Sequence, residues 1–312
     1  MTGCVPNLNN MDYDFLERIG AWDPDEPEPI HVMVANSANR RGRADIACHV
    51  FANKLPSGAL MRIEPGVYCT SPAFTALLCS RGKSLAEVLM LLSELLGTYS
   101  LPVHEADGLD VAPSIIGADQ AHYKCDPATT LKELRSLAKW AKSSEFSTFR
   151  TAVKIVLPNA ASPMESVIAN MLVAPMRYGG FACGKLPKGG IKLNHRVEFT
   201  SEAVVLSSGI PYAICDIYVP ASNADMEYNG IGHELENAHI HDGNRNNGLK
   251  AMGITVYVLN RDQLKDVEAL EGFARKLYKA AGIRYQCRIN GRRNLQMRFL
   301  SQLRQAIGLS AI

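Results

Sequence analysis

Asp216 stands in the middle of Ala213-Ile214-Cys215-Asp216-Ile217-Tyr218-Val219, an apolar run that a carboxylate enters only with a partner. Eleven residues later, Glu227 occurs in Asp225-Met226-Glu227-Tyr228-Asn229-Gly230, just ahead of a glycine turn. If the two runs are antiparallel neighbours joined across Pro220 to Ala224, their ends bring both carboxylates together. Two hard oxygen ligands there suit Mg²⁺ or Mn²⁺, with water and a substrate phosphate filling the other positions. His233, His239, His241, Asp242 and Arg245 follow, a polar cluster able to supply a base and a phosphate clamp. The same residues allow a plainer reading, in which Asp216 and Glu227 form strand-end salt bridges with Arg245 or Lys250.

Other patterns carry less. His239 and His241, two residues apart on a helix, diverge by about 200°, which argues against one shared metal. Glu165 is either a carboxylate next to the metal or the third residue of a capping box opened by Ser162, and the cap accounts for it. Gly179 to Lys185 spells Gly-x-x-x-x-Gly-Lys, but Leu186 replaces the Ser or Thr of a phosphate loop, and a helix precedes it where a strand is required. No Gly-x-Ser-x-Gly elbow and no dinucleotide fingerprint after a strand is present. The eight cysteines contain no C-x-x-C pair and read as reduced, mostly packed thiols.

The elements that must position these groups can be read from periodicity and caps. Short strands are expected at 31–35, 46–51, 60–63 and 67–70, then helices opened by Ser71-Pro72 and running through Leu85 to Leu96. Residues 100–128 read as a long connection. Helices follow at 130–142, 145–157 and from Ser162, then strands at 195–199, 212–219 and 225–228. A helix at 239–252, a strand at 254–259 and a helix at 262–281 complete an α/β order within an α+β whole. The expected divisions are an acidic segment 1–29, a smaller α+β region 30–157, an α/β domain 158–285 and a basic tail 286–312. About two domains also fit a chain of 312 residues.

The formal charge of +2 hides polarity. Residues 1–29 hold seven acidic side chains against one basic, whereas from Phe273 onward there are nine basic ones and no acidic one. Arg288, Arg292, Arg293 and Arg298 in that last stretch are candidate nucleic-acid contacts through phosphate neutralisation; a solvated helical face is the alternative. No uncharged apolar run reaches the roughly 18 residues of a membrane span, and no signal segment opens the chain, so the expected location is cytoplasmic.

The string Asp216 … Glu227-Tyr228-Asn229-Gly230-x-x-His233 … Asp242-x-x-Arg245-x-x-x-Leu249-x-x-x-Gly253, followed by the strand to Leu259, resembles the Vsr-like branch of the PD-(D/E)XK endonucleases. Ser162-Pro163-Met164-Glu165-Ser166 is similar to the start of that family's first core helix. His31-Val32-Met33-Val34, His49 and Thr70-Ser71-Pro72 resemble type IV abortive-infection antitoxins. The resemblance implies a restriction-endonuclease-like mixed sheet flanked by helices, over residues 158–285. It also implies Mg²⁺- or Mn²⁺-dependent cleavage of DNA in a defence or repair context, with a toxin or other defence-system partner. Asp216 and Glu227 would be metal ligands, with the Tyr228 carbonyl completing the set. Asn229 stands where the family carries Lys or Asp, one anionic ligand fewer. His233 would be the general base and Arg245 the phosphate clamp or the partner of Asp242, with Glu165 accessory. The alternative is a catalytically weakened DNA-binding regulator of the antitoxin type, and a third reading is an interaction module.

Overall fold

Ser71, Ser84, Thr130, Ser162 and Thr200 each stand just before a helix, and each side chain accepts a hydrogen bond from the backbone N–H three residues on. These caps satisfy donors that a helix start leaves without partners, so the polar residues set the boundaries that the apolar periodicity leaves open. The computed structural model describes residues 12–20, 22–25, 29–40, 44–52, 54–65, 67–102, 121–228, 236–287 and 289–312, with 236–242 described by backbone alone. The chain is α+β and divides into two units, 1–57 and 58–312. The divisions expected at 157/158 and 285/286 fall inside the second unit.

The first unit holds α1 (Tyr13–Arg18), β1 (Ile30–Val34) and β2 (Ile46–Val50). β1 and β2 pair in parallel with Ile30 beside Ile46, and Ile30, Val34, Ile46 and Phe15 are buried.

The second unit opens with the antiparallel hairpin β3 (Leu60–Glu64) and β4 (Val67–Thr70), which leads into α2 (Pro72–Cys79). α3 (Leu85–Leu96) follows, then a two-residue pairing of β5 (Tyr99–Ser100) with β6 (His122–Tyr123). β6 thus falls within the long connection expected over 100–128, of which residues 103–120 lie outside the described residues. α5 (Ser147–Val153) packs on α3, and α4 (Leu131–Trp140) packs on α5 and α2; the helix expected over 145–157 is a 3-10 turn at Ser144–Phe146 followed by the shorter α5.

α6 (Pro163–Val173) is buried at all eleven positions, so it is the hub of the unit. Its polar side chains find partners: Tyr99 Oη donates to Ser166 Oγ at 2.9 Å, and Asn170 Nδ2 donates to Ser93 Oγ at 3.0 Å. On α6 lies a four-stranded sheet in the order β10-β9-β8-β7, formed by β7 (Lys192–Glu198), β8 (Tyr212–Val219), β9 (Ala224–Tyr228) and β10 (Thr255–Leu259). β7, β8 and β9 run antiparallel in turn, and β10 is parallel to β9. α7 (Ser201–Leu206) links β7 to β8, and α8 (Glu236–Ala251) links β9 to β10.

α9 (Val267–Ala280) and α10 (Arg292–Gln305) complete the unit. The residues expected to form a basic tail are mostly α10, a packed helix. Phe299, Leu300 and Leu303 are buried, and α10 contacts α3, α6 and α9. The cationic face is thus superposed on an apolar one, which net charge could not reveal.

Candidate active site

β8 and β9 are antiparallel neighbours, as their sequences led us to expect, with Ile217 beside Met226 and Tyr218 beside Asp225. Extending that register by one residue sets Asp216 opposite Glu227. Asp216 sits at an irregularity: β7 pairs Leu193 with Ile217 and His195 with Cys215, while Asn194 between them has φ +45°, in the left-handed region that Asn tolerates. Asn194 Nδ2 donates to Glu165 Oε2 and to the Asn159 carbonyl, both at 2.8 Å. Glu165 thereby reaches the sheet.

Arg245 is the centre of the site. One guanidinium nitrogen, Nη1, is bonded to Glu227 Oε1, and Nη2 donates to the Ile214 carbonyl. Nη2 also lies 3.5 Å from Asp225 Oδ2. Asp225 and Glu227, two apart on a strand, share a face, and this spacing lets one fork meet both. The Asp225 side chain is wholly buried. Its Oδ1 accepts the Ile217 N–H at 3.2 Å, while Oδ2 has no hydrogen-bond partner.

The sequence brings Arg245 to this place through its helix. Leu249, one turn on, is packed with Ala213, Cys215 and Ile254. Gly248 faces the Phe199 ring so closely that a Cβ would overlap it. The C-terminal end of α8 is tied down by Asn223 Nδ2, which donates to the carbonyls of Met252 at 3.2 Å and Gly253 at 2.8 Å. Asn223 belongs to the β8–β9 turn, so one residue joins the acidic hairpin to the helix that carries its cation.

Charge is unbalanced here. Burial, then the charges of Glu165, Asp225 and Glu227, push the Asp216 carboxyl up to about 7. Asp225 moves the same way through burial and Glu227. Glu165 is raised by burial against its hydrogen bonds from Ala161, Asn194 and Ser162. Arg245 is raised despite burial, chiefly by Glu227. His195, stacked on Tyr218 with ring centroids 5.3 Å apart, is lowered by burial and then by Lys192, so its neutral form is favoured.

The structure therefore gathers Asp225, Glu227 and Arg245 in contact and sets Asp216 within reach of their charges. The plainer salt-bridge reading holds for Glu227 with Arg245. Glu165 fills the capping role, with a change: its carboxylate accepts from Ala161 N–H at 2.9 Å rather than from the Ser162 backbone. Asn229 and His233 lie outside the described residues, as do the side chains of His239, His241 and Asp242. Residues 179–185 contain a 3-10 turn, not the strand-to-helix loop of a phosphate cradle. Among the described residues, no group of three or more His, Cys, Asp and Glu is arranged to hold a metal ion.

Two of the candidate nucleic-acid contacts have other partners. Arg293 Nη2 lies 3.2 Å from both Glu268 Oε1 and Glu271 Oε2, and Arg292 Nη2 lies 3.8 Å from Glu271 Oε1. Both arginines are thus ion-paired with α9 carboxylates while about a third of each side chain stays exposed. Arg298 is exposed, and Arg288 lies outside the described residues.

Asp225 is the residue that sequence reading passed over, although it lies in the quoted motif; its two-residue spacing from Glu227 was the available signal. No helix among the described residues is long and apolar enough to cross a membrane. No protein-family model, curated protein or solved structure matches the chain.

Proposed function

We propose that the protein is a divalent-metal-dependent endonuclease that hydrolyses phosphodiesters in DNA, as its resemblance to the Vsr-like PD-(D/E)XK branch implies. The observation that carries this reading is Asp225: its side chain is wholly buried beside Glu227 and within reach of the Asp216 charge, with the Cys215 thiol and Arg245 to favour its charged form. Buried anions in such excess call for a further cation. The donors are hard oxygens, so they fit Mg²⁺ or Mn²⁺. As they stand, these carboxylates are not set around a metal position. Arg245 would have to give up Glu227 for Asp216, Asp225 and Glu227 to hold the ion, which would supply Lewis acidity toward a phosphoryl oxygen and an acidified water. Arg245 orients Glu227 and offsets part of the carboxylates' mutual repulsion.

A second reading has its own observation. Arg245 already occupies Glu227 and faces Asp225, which favours a DNA-binding regulator in which a guanidinium has taken the place of a metal. Supercoiled plasmid incubated with the protein and Mg²⁺ or Mn²⁺, with and without EDTA, separates the two. EDTA-sensitive nicking supports the endonuclease; salt-sensitive binding without nicking supports the regulator.

A further inference from the structure

The ribbon of β1 and β2 carries donors that the acidic site does not use. Its register sets His31 beside Ala47 and Met33 beside His49. Side chains alternate along a strand, so His31, Met33, Ala47 and His49 share one face. Ile30, Val34 and Ile46 are buried on the other. On the shared face both imidazoles are exposed and stacked, with ring centroids 4.9 Å apart and planes 16° apart. His31 Nδ1 lies 2.8 Å from His49 Nε2. Ala47 is small, so no bulky side chain stands in register against His31.

We propose that His31 Nδ1, His49 Nε2 and the Met33 thioether form a binding site for a transition-metal ion of borderline or soft character. Imidazole and thioether donors select that class over Mg²⁺ or Ca²⁺, so this site and the carboxylate cluster on β8 and β9 take different ions. A tetrahedral ion with metal–nitrogen bonds near 2.0 Å holds two nitrogens about 3.3 Å apart. The two nitrogens, now joined by a 2.8 Å hydrogen bond, would exchange the shared proton for the ion, part by about half an ångström and turn their ring planes so that both lone pairs meet the ion, movements open to exposed side chains. Three protein donors leave a fourth position for water or an added ligand, the pattern of an open site.

The test uses the full chain labelled at the histidine ring nitrogens and at the methionine methyls, titrated with Zn²⁺ and separately with Mg²⁺. Reading the rings directly keeps zinc bound to the chain's thiols from being counted. The ring signals lost in His31→Gln and in His49→Gln, and the methyl signal lost in Met33→Leu, should move together at one midpoint with Zn²⁺ and stay still with Mg²⁺. Either histidine substitution should weaken the Zn²⁺ response of the remaining imidazole roughly tenfold or more. Imidazoles that do not respond, that respond independently of each other, or that respond without Met33 would overturn the proposal.

Discussion

Asp225 Oδ2 and Arg245 Nη2 face each other at 3.5 Å, and that oxygen, wholly buried, accepts no hydrogen bond. A buried carboxylate normally satisfies both oxygens. The guanidinium is committed to Glu227 and to the Ile214 carbonyl, so it meets Asp225 only as a charge. Among the described residues, Arg245 is the cation that meets the carboxylates of the acidic hairpin.

Removing that cation should be costly. Arg245→Met is expected to lower stability by about 3–5 kcal/mol, the usual cost of leaving a buried partner uncompensated. Arg245→Lys should recover only part, because an ammonium cannot span Glu227, Asp225 and the Ile214 carbonyl together. Urea unfolding measures both. A loss below about 1 kcal/mol for the Met variant would show the pair behaving like an exposed one.

The acidic group also sets a pH dependence. Asp216 titrates at about 7 in the folded chain against an ordinary 3.8, so between those values the folded state keeps a proton that the unfolded state has released. Its contribution to stability is therefore full below about pH 4, declines as pH rises toward 7, and stays lost above. In EDTA, the thermal midpoint of the wild type should fall relative to Asp216→Asn from pH 5 to pH 8, and Mg²⁺ should restore it at pH 8 but not at pH 5. A difference between the two proteins that does not vary with pH contradicts the assignment.

Gly248 is expected to be intolerant of any side chain. Its hydrogen faces Phe199, so Gly248→Val must displace the Phe199 ring or push α8 away from it, carrying Arg245 along. Overpacking of this kind costs about 1–3 kcal/mol. In a double-mutant cycle with Arg245→Met, the two losses should add to less than their sum; full additivity would separate the helix contact from the ion pair.

The basic helix should divide by exposure. Arg292 and Arg293 are engaged with Glu268 and Glu271, so Arg293→Ala should lower stability and leave the salt dependence of DNA binding nearly unchanged. Arg298→Ala should reduce the slope of log affinity against log salt by roughly one. Fluorescence anisotropy across a salt series reads the slopes, and the reverse order would mean that the α9 carboxylates do not hold their arginines.

The hairpin of Asp216 and Glu227 was legible because strand alternation and a short turn leave one pairing. The helix starts were legible because Ser and Thr caps announce themselves. Arg245 bonded to Glu227 was foreseen only as an alternative, since spacing along α8 cannot say which strand faces it until Leu249 and Gly248 dock. Asp225 was missed because a polar residue at a strand start reads as solvent-facing, whereas the fold buries this side chain wholly. The packed state of α10 escaped because nine cations in a row of elements masked Phe299, Leu300 and Leu303.

The proposed metal-dependent cleavage rests on the two β9 carboxylates, Asp225 wholly buried and Glu227 half-buried. Its most direct test is nicking of supercoiled plasmid in Mg²⁺ or Mn²⁺ by wild type, Asp225→Asn and Glu227→Gln, each first shown to be folded. EDTA-sensitive nicking by the wild type and a fall of roughly 100-fold or more in both variants are expected. Nicking by both variants at the wild-type rate would contradict the proposal.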